Sequence, residues 1–345
     1  MKALQLTDVR QVRLGDVAPP PAPGPDDVLV RVKAVGICGT DLHYYRGETA
    51  GYETMNYPFI MGHEFAGLVE AVGANVTDIH PGDRVAVDPA ISCGKCEQCL
   101  EGHPHVCLNG RFVGTPALVG AMQERLVHPA RLVFKLPENI DYAQAALLEP
   151  LGVALHAIDL GKLRVADTVA VLGCGPIGLF VVQLARLSGA QEVFATDVLD
   201  HRLDMARKCG ASMTFNPTRQ DPVSAIMAAT RGRGVDVCFE VAGALETPEQ
   251  GAEITTGCGT VVIVGICSTD QIALRATPSR RKGLTIKVSR RMKHIYSRTI
   301  ALCTRRMIDM DSYLTHKFPI ERGDEAFRLL DAYGDNVGKV VITLD

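Results

Sequence analysis

Long apolar runs are missing from this chain, and their absence is the first informative feature. The opening residues Met1-Lys2-Ala3-Leu4-Gln5-Leu6-Thr7-Asp8 lack the apolar core of a secretory signal. No stretch reaches the ~18–20 uninterrupted apolar residues that a membrane span requires. Charge of one sign is missing too: 36 Lys and Arg against 39 Asp and Glu leave a formal net charge of −3. Neither nucleic acid nor an anionic membrane gains a reason to bind from that balance. Tryptophan is absent altogether, which supports no inference. Internal repeats and low-complexity tracts are lacking apart from one proline-rich stretch, Ala18 to Pro25. Together these absences predict a cytoplasmic protein with no membrane or nucleic-acid partner.

What is present is ordinary globular composition, 47% hydrophobic and 22% charged residues, in a chain long enough for two domains with separate cores. Its 11 cysteines would suggest a disulfide scaffold in a short secreted chain. In a long chain expected in the cytosol they point instead to metal binding, redox chemistry or simple burial.

The first half reads as short strands and turns. Asp27 to Val35 alternates branched apolar with charged residues, as a half-buried strand does. Phe65 to Val72 and Arg84 to Val87 are further strand candidates, punctuated by Gly62, Gly67, Gly73 and Gly82. Near Leu151 the pattern changes. From Thr168 onward, apolar runs such as Thr168–Leu172, Glu192–Asp197, Val235–Phe239 and Thr260–Val264 alternate with helical stretches. Nearly all-apolar strands alternating with helices predict an α/β domain with a parallel sheet covered on both faces. The alternation stops after about Ser289, and the tail ends in a strand-like Lys339 to Leu344.

Gly173-Cys174-Gly175-Pro176-Ile177-Gly178 is a G-x-G-x-x-G directly after a strand and opening a helix. The first glycine permits the tight turn, the second lets a pyrophosphate approach, and the third allows close helix–strand packing. Helix N-terminal amides would then face the phosphates, with Pro176 suited to a first helical turn. The next strand ends at Asp197, 19 positions beyond Gly178, where an acid can accept both ribose hydroxyls of NAD and repel the extra phosphate of NADP. Arg202, five residues on, weakens that discrimination. The competing reading is a glycine-rich turn that binds nothing.

Cys93, Cys96, Cys99 and Cys107 fall within fifteen residues. That spacing suits a closed tetrahedral zinc site of structural character; iron–sulfur ligation and disulfides are the alternatives. Three other separated pieces carry candidate ligands: Cys38, the pair His63-Glu64, and Glu149. Taken singly, a cysteine such as Cys38 is usually buried filler, and composition and spacing do not bring these residues together.

Gly36-Ile37-Cys38-Gly39-Thr40-Asp41-Leu42-His43 and Gly62-His63-Glu64-Phe65-Ala66-Gly67 resemble the two zinc-binding signatures of medium-chain dehydrogenases. The resemblance extends to Gly82-Asp83-Arg84-Val85, the four-cysteine lobe and the Gly173 turn, in the family's order along nearly the whole chain. Glu149-Pro150-Leu151 is similar to the sorbitol, iditol and xylitol dehydrogenase branch. The resemblance implies a GroES-like β-rich catalytic domain over 1–152 and 290–345, and a Rossmann doubly wound NAD domain over 153–289. It further implies a homodimer or homotetramer, with a strand at Leu284 to Val288 available to pair across a two-fold axis. It implies a catalytic zinc held by Cys38 and His63, with Glu64 and Glu149 supplying the remaining protein oxygen directly or through water, and Asp41 orienting His63. Thr40, the cofactor ribose and His43 become a proton relay, Tyr44 a pocket wall with core packing as the alternative, and Arg291 a hydrogen-bonding contact to substrate hydroxyls. The reaction implied is NAD-linked oxidation of a secondary alcohol on a polyol-like substrate. Where the polyol branch has an aromatic after Arg291, this chain has Met292, followed by Lys293 and His294. A cyclitol or a substrate bearing an acidic group fits that departure as well as sorbitol does. The Arg290–His294 run is otherwise a solvated charged face. L-threonine 3-dehydrogenase is the rival activity, and a non-catalytic protein on the same fold a more distant one.

Overall fold

The computed structural model describes residues 1–48, 56–267, 269 and 271–345. The chain divides into two compact units, one formed by Met1–Pro150, Lys293–Arg306 and Met310–Asp345, the other by Leu151–Met292 and Met307–Asp309.

In the first unit the strand Asp27–Gly36 organises a seven-stranded sheet. Its valines at positions 28, 30 and 32 are all buried in the core while the residues between them are partly exposed, the two-residue period that alternation requires. It pairs antiparallel with Glu64–Val72, with Arg125–Pro129 and with the C-terminal strand Lys339–Thr343. Gly36 lies opposite both Glu64 and Val341, so three distant parts of the chain converge where the strand ends at Ile37 and Cys38. A short helix, Gly39–Tyr45, follows immediately.

The second unit is a six-stranded parallel sheet in the order Met213–Phe215, Glu192–Thr196, Thr168–Leu172, Val235–Glu240, Thr255–Ile263, Thr285–Val288. Taken in chain order this is 3-2-1-4-5-6, the doubly wound arrangement of dinucleotide-binding domains, with its switch point between the first and fourth strands. Apart from the first residue or two, the strands Thr168–Leu172, Glu192–Thr196 and Val235–Glu240 are buried along their length, as a sheet covered on both faces demands. The strand expected from Thr260 begins earlier, at Thr255. Glycines at 257 and 259 and a left-handed Cys258 (φ 60°) hide this part from an apolar-run search. Thr285–Val288 is the outer strand, with Val288 68% exposed. Among the described residues, no helix is long and apolar enough to cross a membrane.

His128, on Arg125–Pro129, is fully enclosed; its Nε2 lies 2.8 Å from the Asp88 carbonyl and its ring is edge-on to Phe65. Burial pushes the imidazole down to about 4, although the Asp88 carbonyl opposes this. An unfolded histidine titrates near ~6.5, so between these values the unfolded chain takes up the proton first, and stability falls as pH falls through that window. His128→Gln, whose amide can still donate to Asp88, is expected to show a smaller drop in melting temperature between pH 7 and pH 4.5 than the wild type. Parallel curves would refute the assignment.

Candidate functional site

The backbone bend after Asp27–Gly36 brings the chemistry together. Cys38, His63 and Glu64 each offer a ligand atom, and these atoms all lie within 4.8 Å of one another. Asp41, wholly buried, accepts hydrogen bonds from Cys38 N (2.9 Å) and Gly62 N (3.1 Å), tying the two signature segments to each other. Its Oδ1 sits 3.8 Å from His63 Nδ1, an atom that is itself buried and makes no hydrogen bond. The imidazole is thus turned with Nδ1 toward the acid, leaving Nε2 as the nitrogen able to coordinate.

These groups are desolvated and mutually repulsive. Burial, reinforced by the Glu64 carboxylate, pushes the Cys38 thiol up to about 12. Glu149, buried in the first turn of Leu148–Gly161, is pushed up to about 8, chiefly by burial, while His63 pulls against the shift and Glu64 and Cys38 add to it. A thiol, an imidazole and carboxylates crowded out of water form a donor set that a divalent cation would satisfy, and the unpartnered His63 Nδ1 is in register with such an ion's outer shell.

Sequence reasoning missed Lys339. It is 2% exposed, donates from Nζ to the Ile37 carbonyl at 2.8 Å and forms an ion pair with Glu64. Its only sequence signal is a cation opening an otherwise apolar strand, with nothing to connect it to position 64.

The neighbouring candidates are placed as follows. Thr40 Oγ1 is 3.8 Å from Cys38 Sγ. His43, partly exposed on the next turn of the helix, pairs through Nδ1 with Glu48. Tyr44 is buried in the first unit's core with its ring edge-on to Phe59, centroids 5.6 Å apart. Arg291 is half-buried with a left-handed backbone (φ 53°), Met292 is buried, His294 is exposed, and Lys293 Nζ approaches His103 Nδ1 at 3.1 Å.

In the cysteine lobe all four thiols are free of disulfides and lie within 4.8 Å of each other. Cys96 Sγ is 3.5 Å from Cys99 Sγ and 3.8 Å from Cys107 Sγ. Four thiolates ~2.3 Å from one tetrahedral ion sit ~3.8 Å apart, whereas a disulfide would bring a pair to ~2.05 Å. The lobe is sized for a single ion. The Lys95 amide, helped by that of Cys96, pulls the Cys93 thiol down to about 6, toward the thiolate a metal needs.

In the second unit Gly173 turns at φ +100°, and a side chain there would press on Ala242, whose N would stand 2.8 Å from the added Cβ. A Cβ on Gly175 would meet nothing, so this is the open side of the turn. Pro176 begins the helix Pro176–Leu187, Ile177 follows in its first turn, and Gly178 backs directly onto the Gly173 carbonyl. Asp197 accepts from Cys174 N (2.8 Å) and Leu199 N (2.9 Å), and the Arg202 guanidinium stands 3.9 Å from its Oδ2. Each carboxylate oxygen retains a further lone pair.

A family profile for the alcohol dehydrogenase GroES-like domain matches residues 24–138, and one for zinc-binding dehydrogenases matches residues 176–305. Sorbitol dehydrogenase of Bacillus subtilis (strain 168) is 34% identical over 99% of this chain and 97% of its own length. L-threonine 3-dehydrogenase of the same organism is also 34% identical, over 99% and 98%. Among solved structures, a protein of Sinorhizobium meliloti 1021 described as a zinc-binding dehydrogenase and bound to NADP superposes with a TM-score of 0.91. It is 34% identical, and the match covers 99% of this chain and 98% of that one.

Breaking a buried ion pair by removing one partner leaves an uncompensated charge, at a cost of about 3–5 kcal/mol. Lys339→Met is therefore expected to lower the unfolding free energy of metal-stripped protein by that amount in urea, and Lys339→Arg by much less. A Lys339→Met variant as stable as the wild type would show that the pair does not hold Glu64.

Proposed function

This chain belongs to the family of zinc-binding alcohol dehydrogenases with a GroES-like domain, and we propose that it oxidises a secondary hydroxyl of a polyol-like substrate to the ketone, using NAD. The observation that carries this reading is the buried convergence of Cys38, His63 and Glu64 beside the electrostatically coupled Glu149. In that reading Cys38 and His63 hold a catalytic zinc with Glu64 and Glu149 as its carboxylates, and Cys93, Cys96, Cys99 and Cys107 hold a structural one. Zinc supplies Lewis-acid polarisation of the substrate hydroxyl, and the nicotinamide supplies the hydride acceptor.

The remaining work falls to the chain's own groups. Asp41, 3.8 Å from His63 Nδ1, is the acid that would receive that N–H and orient the ring on a metal. Lys339 balances the charge of Glu64, so that one carboxylate is compensated within the chain and Glu149 would be the second carboxylate available to the zinc. The substrate's proton would leave by way of Thr40, the cofactor ribose and His43, which is partly exposed and paired with Glu48. Asp197 at the end of its strand favours NAD, its negative charge opposing a 2′-phosphate.

The Glu149-Pro150-Leu151 triplet, similar to that of the polyol dehydrogenase branch, supports a polyol over an amino alcohol. The equally similar L-threonine 3-dehydrogenase makes threonine the second substrate to test. Cofactor reduction assayed across polyols, cyclitols, sugars and threonine is expected to give NADH from a polyol or cyclitol, with at least about tenfold lower kcat/KM for NADP, and to stop with a zinc chelator. Turnover of threonine alone would transfer the assignment to the amino-alcohol reading, and chelator-resistant turnover would remove the metal from it. His43→Ala is expected to lower kcat about tenfold or more below pH 7 and progressively less as hydroxide replaces the relay. An unchanged pH profile would eliminate His43 from proton transfer.

A further inference from the structure

Glu240 belongs to none of the motifs above, yet it is the most completely enclosed acid of the second unit, 0% exposed at the carboxyl end of Val235–Glu240. That strand pairs directly with Thr168–Leu172, with Glu240 opposite Leu172, so the residue stands at the switch point of the sheet beside the Gly173 turn. Its Oε1 collects three donors: Ala242 N at 2.9 Å, Gly243 N at 2.8 Å and the Thr247 hydroxyl at 2.8 Å. Its backbone carbonyl accepts from Val264 N (2.8 Å) and Gly265 N (3.1 Å) of the following loop.

The loop gathered by this carboxylate is in backbone contact on both sides. Ala242 stands where a side chain on Gly173 would be, and Gly243 stands where one on Gly265 would be, its Cα 2.7 Å from the position of that missing Cβ. Three carboxyl-edge loops, at 173–175, 241–247 and 264–265, are therefore stacked backbone to backbone. The acid that fastens the middle one limits the freedom of the other two.

We propose that Glu240 is a positioning residue for the dinucleotide: by tying Ala242, Gly243 and Thr247 to one carboxylate oxygen it presets the wall behind the Gly173 turn, so that the turn is already in its binding shape when the cofactor arrives. This rests on reading the Gly173 turn as a dinucleotide site. Glu240 touches no reacting atom and acts through Ala242. Removing the carboxylate leaves two buried amides without their acceptor and the Thr247 hydroxyl with the Ala244 carbonyl alone (2.9 Å). The loop then samples other shapes, and binding must pay for restoring the original one. A glutamine keeps a carbonyl oxygen able to accept the same three donors.

The experiment is NADH and NADPH titration of the full-length protein by fluorescence and calorimetry, well below the melting temperature of each variant, for wild type, Glu240→Ala, Glu240→Gln and Thr247→Val. Amide exchange at residues 241–247 is followed alongside. The expectation is a dissociation constant about tenfold or more higher in Glu240→Ala, rescue to within about threefold by Glu240→Gln, and a smaller loss in Thr247→Val. Faster exchange in 241–247 is expected to accompany each loss. A purely structural acid would lower the melting temperature while leaving the dissociation constant of the folded protein unchanged, and that result overturns the proposal. If Glu240→Ala does not fold, Thr247→Val decides: unchanged affinity rejects the proposal and weakened affinity supports it. Failure of the wild type to bind either nucleotide would instead bring down the dinucleotide reading, and this inference with it.

Discussion

Removing charge from water is costly, and the first unit concentrates that cost at one place. Cys38, Asp41, His63, Glu64, Glu149 and Lys339 are collected where three strands meet, and all but the partly buried Cys38 are almost wholly enclosed. Only mutual compensation makes such a cluster tolerable. Asp41 is stabilised by two backbone amides, Glu64 by Lys339, and Lys339 in turn by the Ile37 carbonyl. For Cys38 and Glu149, burial outweighs the nearby positive charge of Lys339, so both retain their protons above the usual range. A divalent cation bound among these donors would relieve that residual imbalance.

The second unit solves a different problem with the same economy of backbone. Its sheet strands are lined by buried apolar side chains. Its two buried acids, Asp197 and Glu240, sit at the carboxyl edge, and each holds a turn: Asp197 through Cys174 N and Leu199 N, Glu240 through Ala242 N and Gly243 N. Carboxylates in these positions exchange hydration for several fixed amides of the adjoining loops.

Legibility in the sequence followed locality. The valines of Asp27–Gly36 announced a half-buried strand because alternation is a property of neighbours, and the parallel sheet was readable from all-apolar runs. The strand from Thr255 was missed at its start because glycines and a left-handed cysteine interrupt that pattern. Four cysteines within fifteen residues declare a common site because a short loop can hardly keep them apart. Cys38 and His63 were joined only through resemblance to known signatures. Lys339, 302 positions from the Ile37 carbonyl to which it donates, carried no signal. Glu240 likewise looks like the unremarkable end of an apolar strand until the loops beyond it are seen to fold back.

What the sequence by itself determined is therefore everything written in short-range terms: the α/β class, the glycine turn opening a helix, the cysteine lobe, and the candidate ligands as separate pieces. Tertiary structure alone decided which charge answers which, setting Lys339 against Glu64, Asp41 between Cys38 and Gly62, and Glu240 under the loop beside Gly173. The reason is physical. Periodicity and turn chemistry act over a few residues along the chain, whereas electrostatic compensation acts over a few ångströms in space, and only the folded sheets bring those two distances together.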